Sequence, residues 1–158
     1  MKKQLLLAIL IATLSTTQAQ IYFAGSFGMG TTGSAAAGAA TLGVDFNHWL
    51  VQGGFHSHLS AKQPTLYRLT AGRSFEVGEM AYINLTGGVG SLDRYFNKGA
   101  VMTGKDSWVA SVEYAKDYMG KGEWFVEMTQ AKRYNFITLG LKYFFVGGKE
   151  KTGCPASW

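Results

Sequence analysis

The chain has 158 residues, 15 Lys and Arg against 10 Asp and Glu, 21 glycines, 2 prolines and a single cysteine. Its formal charge of +5 falls to 5 − 2 = +3 if Lys2 and Lys3 leave with a leader, which is ordinary and gives no nucleic-acid footprint. Abundant Gly without Pro or high charge excludes collagen-like and disordered chains, and one cysteine excludes an internal disulfide.

The chain opens MKKQLLLAILIATLSTTQAQ: two lysines, an apolar run over 5–14, then small Thr17 and Ala19 before Gln20. This pattern predicts a cleaved secretory signal peptide over 1–19. The apolar run is too short to span a bilayer as a helix, and no cysteine at the cut site invites a lipid anchor. A mature chain of 158 − 19 = 139 residues fits one domain.

Downstream, no segment sustains a 3.6-residue period, whereas period-2 alternation recurs between turn signals. Eight strands are predicted, at 21–29, 36–46, 49–59, 66–75, 80–90, 107–118, 123–132 and 136–146. The connections NH (47–48), EVGE (76–79) and MGKG (119–122) are tight, as is RYN (133–135). GTTGSA, SAKQPT and SLDRYFNKGAVMTGKD are looser. An even strand count, short turns at one end and strands near the 9–11 residues a tilted crossing needs all predict one fold. It is all-β: an eight-stranded antiparallel up-and-down transmembrane β-barrel over 20–146, with a polar C-terminal tail over 147–158.

The alternation also predicts which face meets lipid. One parity carries bulky groups, such as Trp108, Val112 and Tyr114 in the sixth strand and Ile137, Leu139 and Leu141 in the eighth. The other carries Gly, Ser, Thr and a few charges. An eight-stranded interior is just wide enough for side chains to fill, so the small, polar set is placed inside. Phe46, Trp49, Phe75, Tyr118, Trp124, Tyr143 and Phe145 cluster near the tight turns or the end of the last strand, as an aromatic girdle would. Arg73 and Lys116 break the apolar parity near turns, where long cations can snorkel. The competing reading is a secreted lipocalin-like soluble barrel with the faces reversed.

With this pattern over nearly all of the mature chain, the protein resembles the small eight-stranded outer-membrane proteins, the OmpX-like and OmpA-transmembrane-domain group. FITLGLKYFF (136–145) is similar to the aromatic-ended final strand that barrel-assembly machinery recognises, although twelve more residues, 147–158, follow Val146 here. The resemblance implies residence in the outer membrane of a Gram-negative bacterium, contact with its lipid and lipopolysaccharide, and no cofactor. LTAGRSF (69–75), LTGGVGSLDRY (85–95) and QAKRYN (130–135) resemble, in the same order, segments of the TraO family of conjugative elements in Bacteroidetes, which would imply a part in conjugal transfer.

Four features hold candidate chemistry. His56, Arg68, Glu113, Glu127 and Lys142 share the inner parity; hairpin register places Glu113 near Glu127 and Glu127 near Lys142, and His56 beside Arg68. Adjacent carboxylates can form an acid–base pair, but cations beside them predict an ionic plug and a closed lumen. His58 and Ser60 have a spacing similar to that of PagL-type lipid A deacylases, where histidine activates a serine. Against catalysis stand the inner parity of His58, Ala61 where that family has asparagine, and the lack of a suitably spaced acid downstream. His56 and His58 at i, i+2 lack a third metal ligand. In the long third outer loop, Arg94, Tyr95, Phe96 and Lys98 could contact a protein or lipopolysaccharide phosphates, a solvated connection being the alternative.

Overall fold

The computed structural model describes residues 19–30, 35–59, 65–93, 105–118, 122–132 and 134–146. They form eight strands: β1 (Gln20–Gly30), β2 (Ala35–Phe46), β3 (Trp49–His58), β4 (Thr65–Gly78), β5 (Ala81–Asp93), β6 (Lys105–Tyr118), β7 (Gly122–Ala131) and β8 (Tyr134–Val146). Each pairs antiparallel with its sequence neighbours, and β1 pairs with β8 to close the barrel. Three expectations are corrected at the turns. β4 continues through Glu76 and Gly78, so the tight turn falls at Glu79–Met80. Tyr134 and Asn135 belong to β8 and not to a loop. β5 and β6 extend to Asp93 and Lys105, shortening the third outer loop.

The β2–β3 turn holds Asn47 at φ 48° and His48 at φ 65°. Two successive left-handed residues match the right-handed twist of the flanking strands, and Asn tolerates that conformation well. Met80 and Lys132, in the β4–β5 and β7–β8 turns, also have positive φ.

The strands alternate in exposure as the parity reading expects. Leu139 and Leu141 are open on the outer surface while Thr138 and Lys142, which flank the pair, are buried. Phe27 is 75% exposed and Tyr22, on the opposite face of the same strand, only 1%. An apolar exterior around a polar interior contradicts the lipocalin-like alternative, which needs the reverse. It defines a transmembrane barrel, in which closure leaves no strand edge unpaired against hydrocarbon. Ala81 has the outward parity of Leu85 yet is buried at 7%. It lies at the irregularity where Val77 is skipped in the β4–β5 pairing.

The lumen is larger-grained than the sequence predicts. Two apolar clusters stand inside it, one of Tyr22, Ala24, Leu50, Ala115, Phe125 and Phe144 toward the β2–β3 turn. The other comprises Ala37, Leu66, Val109, Ala131 and Phe136 at the opposite end. The rings fit because glycines face them across the ladder. Tyr22 is paired with Gly43 and Phe125 with Gly140; a Cβ on Gly43 would lie 2.4 Å from the Tyr22 ring. Elsewhere the close approach is between strands themselves: a Cβ on Gly72 would stand 1.9 Å from the Leu85 carbonyl oxygen.

Gly72→Ala should therefore destabilise the barrel by about 1–3 kcal/mol, since the backbone must move to admit the methyl. Gly25→Ala, whose Cβ meets nothing within 4 Å, should cost less. Urea unfolding of both variants in lipid vesicles checks the difference; equal stabilities would mean that β4 and β5 are not held so close.

Candidate functional site

Between the two apolar clusters the lumen is filled by polar side chains in two connected groups. In the first, Arg68 of β4 reaches across the barrel to Glu127 of β7. Its Nη1 donates to Glu127 Oε1, and its Nη2 donates to Oε2 at 3.0 Å. This is the two-pronged geometry that a planar guanidinium favours with a carboxylate. The same guanidinium donates to Thr129 Oγ1 at 3.1 Å and to Thr41 Oγ1 at 3.2 Å.

In the second group, Lys142 of β8 donates to Glu113 Oε1 at 2.7 Å and lies 3.4 Å from Glu123 Oε2. Asn84 Nδ2 also donates to Glu113 Oε1. The Lys142 ammonium stands 4.8 Å from the Tyr22 ring centroid and 5.6 Å from that of Phe125, both rings of the apolar cluster toward the β2–β3 turn. A hydroxyl–amide chain joins this region to the first group. Tyr22 donates its phenol proton to Gln52 Oε1 at 2.8 Å, Gln52 Nε2 donates to Thr86 Oγ1 at 3.4 Å, and the Thr86 and Ser111 hydroxyls are 2.7 Å apart. Arg68 Nη1 lies 3.5 Å from Ser111 Oγ.

His56, Arg68, Glu113, Glu127 and Lys142 are thus all inside and buried. Glu113 and Glu127 are direct cross-strand partners. The expected Glu127–Lys142 neighbourhood is corrected: Thr138 faces Glu127, and Lys142 faces Glu123. Each of the two facing carboxylates is instead neutralised from a different side. Glu123 was missed, although it lies four residues before Glu127 and so shares its parity. His56 Nε2 is 3.8 Å from Glu127 Oε2, an electrostatic neighbour and not a hydrogen-bond partner.

His58 also points inward, and its ring centroid lies 4.9 Å from that of Phe136, as does that of His56. The two imidazoles flank one ring of the apolar cluster at the end opposite the β2–β3 turn. Ser60 lies outside the described residues. Among the described residues, no group of three or more His, Cys, Asp and Glu is placed to hold a metal ion. Arg94, Tyr95, Phe96 and Lys98 also lie outside the described residues, as do 1–18 and 147–158.

On the outer surface Phe46, Trp49, Phe75, Tyr118, Tyr143 and Phe145 are exposed, and Trp124 is half-buried. Tyr143 packs edge-on against Phe145 with centroids 5.3 Å apart, and Trp124 packs against Tyr114 at 5.6 Å. The opposite end has a belt of its own that sequence reasoning missed: Phe27, Phe55, Tyr67 and Trp108. Its signal was available, since each is an outward-parity aromatic near a long loop.

These features define an eight-stranded transmembrane β-barrel whose lumen is closed by an ion-paired core. Solved structures of that class share its fold. The N-terminal β-barrel domain of OprF from Pseudomonas aeruginosa is similar at TM-score 0.64 and 8% identity, over 82% of this chain and 98% of that one. Neisserial surface protein A is similar at 0.53 and 12%, over 82% and 98%. Ail of Yersinia pestis is similar at 0.52 and 15%, over 79% and 99%. A designed transmembrane barrel also matches, at 0.59 and 11%. No family profile and no curated protein matches the chain.

Glu127→Ala strands the Arg68 guanidinium in the lumen and should cost about 3–5 kcal/mol. Removing both partners, as in Arg68→Met with Glu127→Ala, should cost less than the single change, because no charge is then left unpaired. Urea titration of the refolded variants tests this; a double variant weaker than Glu127→Ala would show that a stranded charge is not what the single change costs.

Proposed function

We propose that the protein is a non-enzymatic barrel of the Gram-negative outer membrane that presents surface loops for interaction or for envelope integrity. One observation carries the reading: the middle of the lumen is packed with hydrogen-bonded side chains and bracketed by apolar clusters. Such a filling supports neither a pore nor a substrate cleft inside the wall. What can vary on a rigid scaffold of this kind is its loops. In this reading the tight turns face the periplasm, export uses the signal peptide over 1–19, and 147–158 is a polar tail. Barrel-assembly machinery inserts the chain, and lipid and lipopolysaccharide surround it. The third outer loop, with Arg94, Tyr95, Phe96 and Lys98, is the proposed contact surface.

The inward aim of His58 supports the non-enzymatic reading over a PagL-type deacylase, because a lipid acyl chain approaches from outside the wall. A TraO-like part in conjugal transfer is a narrower version, supported by the segments at 69–75, 85–95 and 130–135.

Unheated samples from outer-membrane fractions should migrate faster in gel electrophoresis than boiled ones, and the purified protein should give no stepwise conductance in planar bilayers. Stable open-channel steps would contradict a filled lumen. Lipid A from cells with and without the protein should have the same mass; loss of an acyl chain dependent on His58 and Ser60 would make it an enzyme. Deleting the gene from a conjugative element should lower transfer frequency if the narrower version holds, and unchanged transfer removes it.

A further inference from the structure

The outer surface carries a cation whose setting the closed lumen does not explain. Arg73 is exposed on the outward face of β4, opposite Trp49 of β3 and Leu85 of β5. Its guanidinium carbon lies 5.8 Å from the Trp49 ring centroid and 5.9 Å from that of Phe75. Both rings belong to the girdle beside the tight turns.

Aromatic faces attract a guanidinium through the ring quadrupole, but they do not satisfy its five in-plane N–H donors. Among the described residues no hydrogen-bond acceptor or carboxylate meets Arg73. Glu76 and Glu79, on the same hairpin, make no ion pair with it. A cation at the edge of a hydrocarbon belt is only partly hydrated, so an anion that reaches its open donors gains more there than in bulk water. At the depth of an aromatic girdle the surroundings offer interfacial water and the phosphodiester oxygens of lipid headgroups, and of the two only the phosphodiester carries charge. A planar fork matches two such oxygens at once.

We propose that Arg73, held over Trp49 and Phe75, is the centre of a binding site for an anionic phospholipid of the periplasmic leaflet. The rings fix the guanidinium against the wall, and its open edge takes the phosphodiester. An anionic lipid is preferred to a zwitterionic one because it brings no ammonium of its own to compete for the phosphate. The inference rests on the orientation proposed above, with the tight turns in the periplasm.

Native mass spectrometry of the folded barrel in equal amounts of phosphatidylglycerol and phosphatidylcholine tests it. The unaltered protein should retain phosphatidylglycerol about fivefold over phosphatidylcholine, the preference that one basic residue at an anionic headgroup confers. Arg73→Gln should abolish the preference and Arg73→Lys should keep a reduced one. Lys116→Gln, which removes another outward cation, should leave it intact. Equal retention of the two lipids by the unaltered protein, or an undiminished preference in Arg73→Gln, would overturn the site. If Arg73→Gln does not refold, an undiminished preference in Arg73→Lys, or a loss as large in Lys116→Gln, does the same. Millimolar glycerol phosphate should not displace the bound lipid; displacement would show a site for free phosphate and sink the lipid assignment. A barrel that inserts normally but shows no preference fails this inference alone, whereas one that never inserts fails the functional reading beneath it.

Discussion

A peptide group inside hydrocarbon has no water to turn to, and every other feature of this protein follows from that constraint. An eight-strand ladder closed by β1 on β8 satisfies the backbone. Closure at this strand number fixes a narrow interior, so the inner side chains must fill it without overfilling it. That explains why the lumen combines rings with glycines. Tyr22 lies over Gly43 and Phe125 over Gly140 as direct cross-strand partners. A uniform layer of medium side chains would leave gaps beside one strand and clashes beside the next. The glycine content is therefore a packing property of the interior more than a sign of flexible loops.

The same closure gives the buried charges a structural purpose. Glu113 and Glu127 face one another across β6 and β7 and would repel if left to themselves. Arg68 reaches Glu127 from β4, and Lys142 reaches Glu113 from β8, so the two acids are held by opposite sides of the barrel. A slip of one residue in any of these strands would turn its inner set toward lipid. Placing Arg68 or Glu127 there would cost far more than displacing a leucine. We therefore regard the network chiefly as a lock on register, with its net contribution to stability secondary.

Parity made the wall legible in the sequence, because each strand states its own two faces through residues such as Leu139 and Lys142. Strand ends were readable to within about three residues, the overrun of β4 to Gly78 and of β5 to Asp93 being the widest at a strand's end. Inside the wall the Glu113–Glu127 pairing was readable, but the ion-pair partners were not. Hairpin register gives only neighbouring strands, and the decisive contacts span the lumen: Arg68 to Glu127 and Lys142 to Glu113 each join strands that are not adjacent. The inward rings Phe136 and Phe144 were also lost, because a run such as YFF carries apolar groups on both parities and masks its own alternation. Glu123 was overlooked although it opens the predicted seventh strand at 123 and has the inward parity of Glu127; its partner Lys142 lies directly across the ladder.

The outer belts supply an independent measure of how the wall sits in a bilayer. Trp108 and Tyr118 are both exposed on β6, one toward the long loops and the other at a tight turn. They are 118 − 108 = 10 residues apart, or about 33 Å along a strand at about 3.3 Å per residue. A tilt of about 40° projects that onto roughly 25 Å, the height of the apolar band in barrels of this type. The spacing of these two edge rings matches hydrocarbon. A soluble barrel is under no such constraint, since its outer surface has no preferred thickness. Arg73 and Lys116 fit the same frame, since both lie within two residues of a girdle ring, Phe75 and Tyr118, where a long cation can leave the hydrocarbon without leaving the wall.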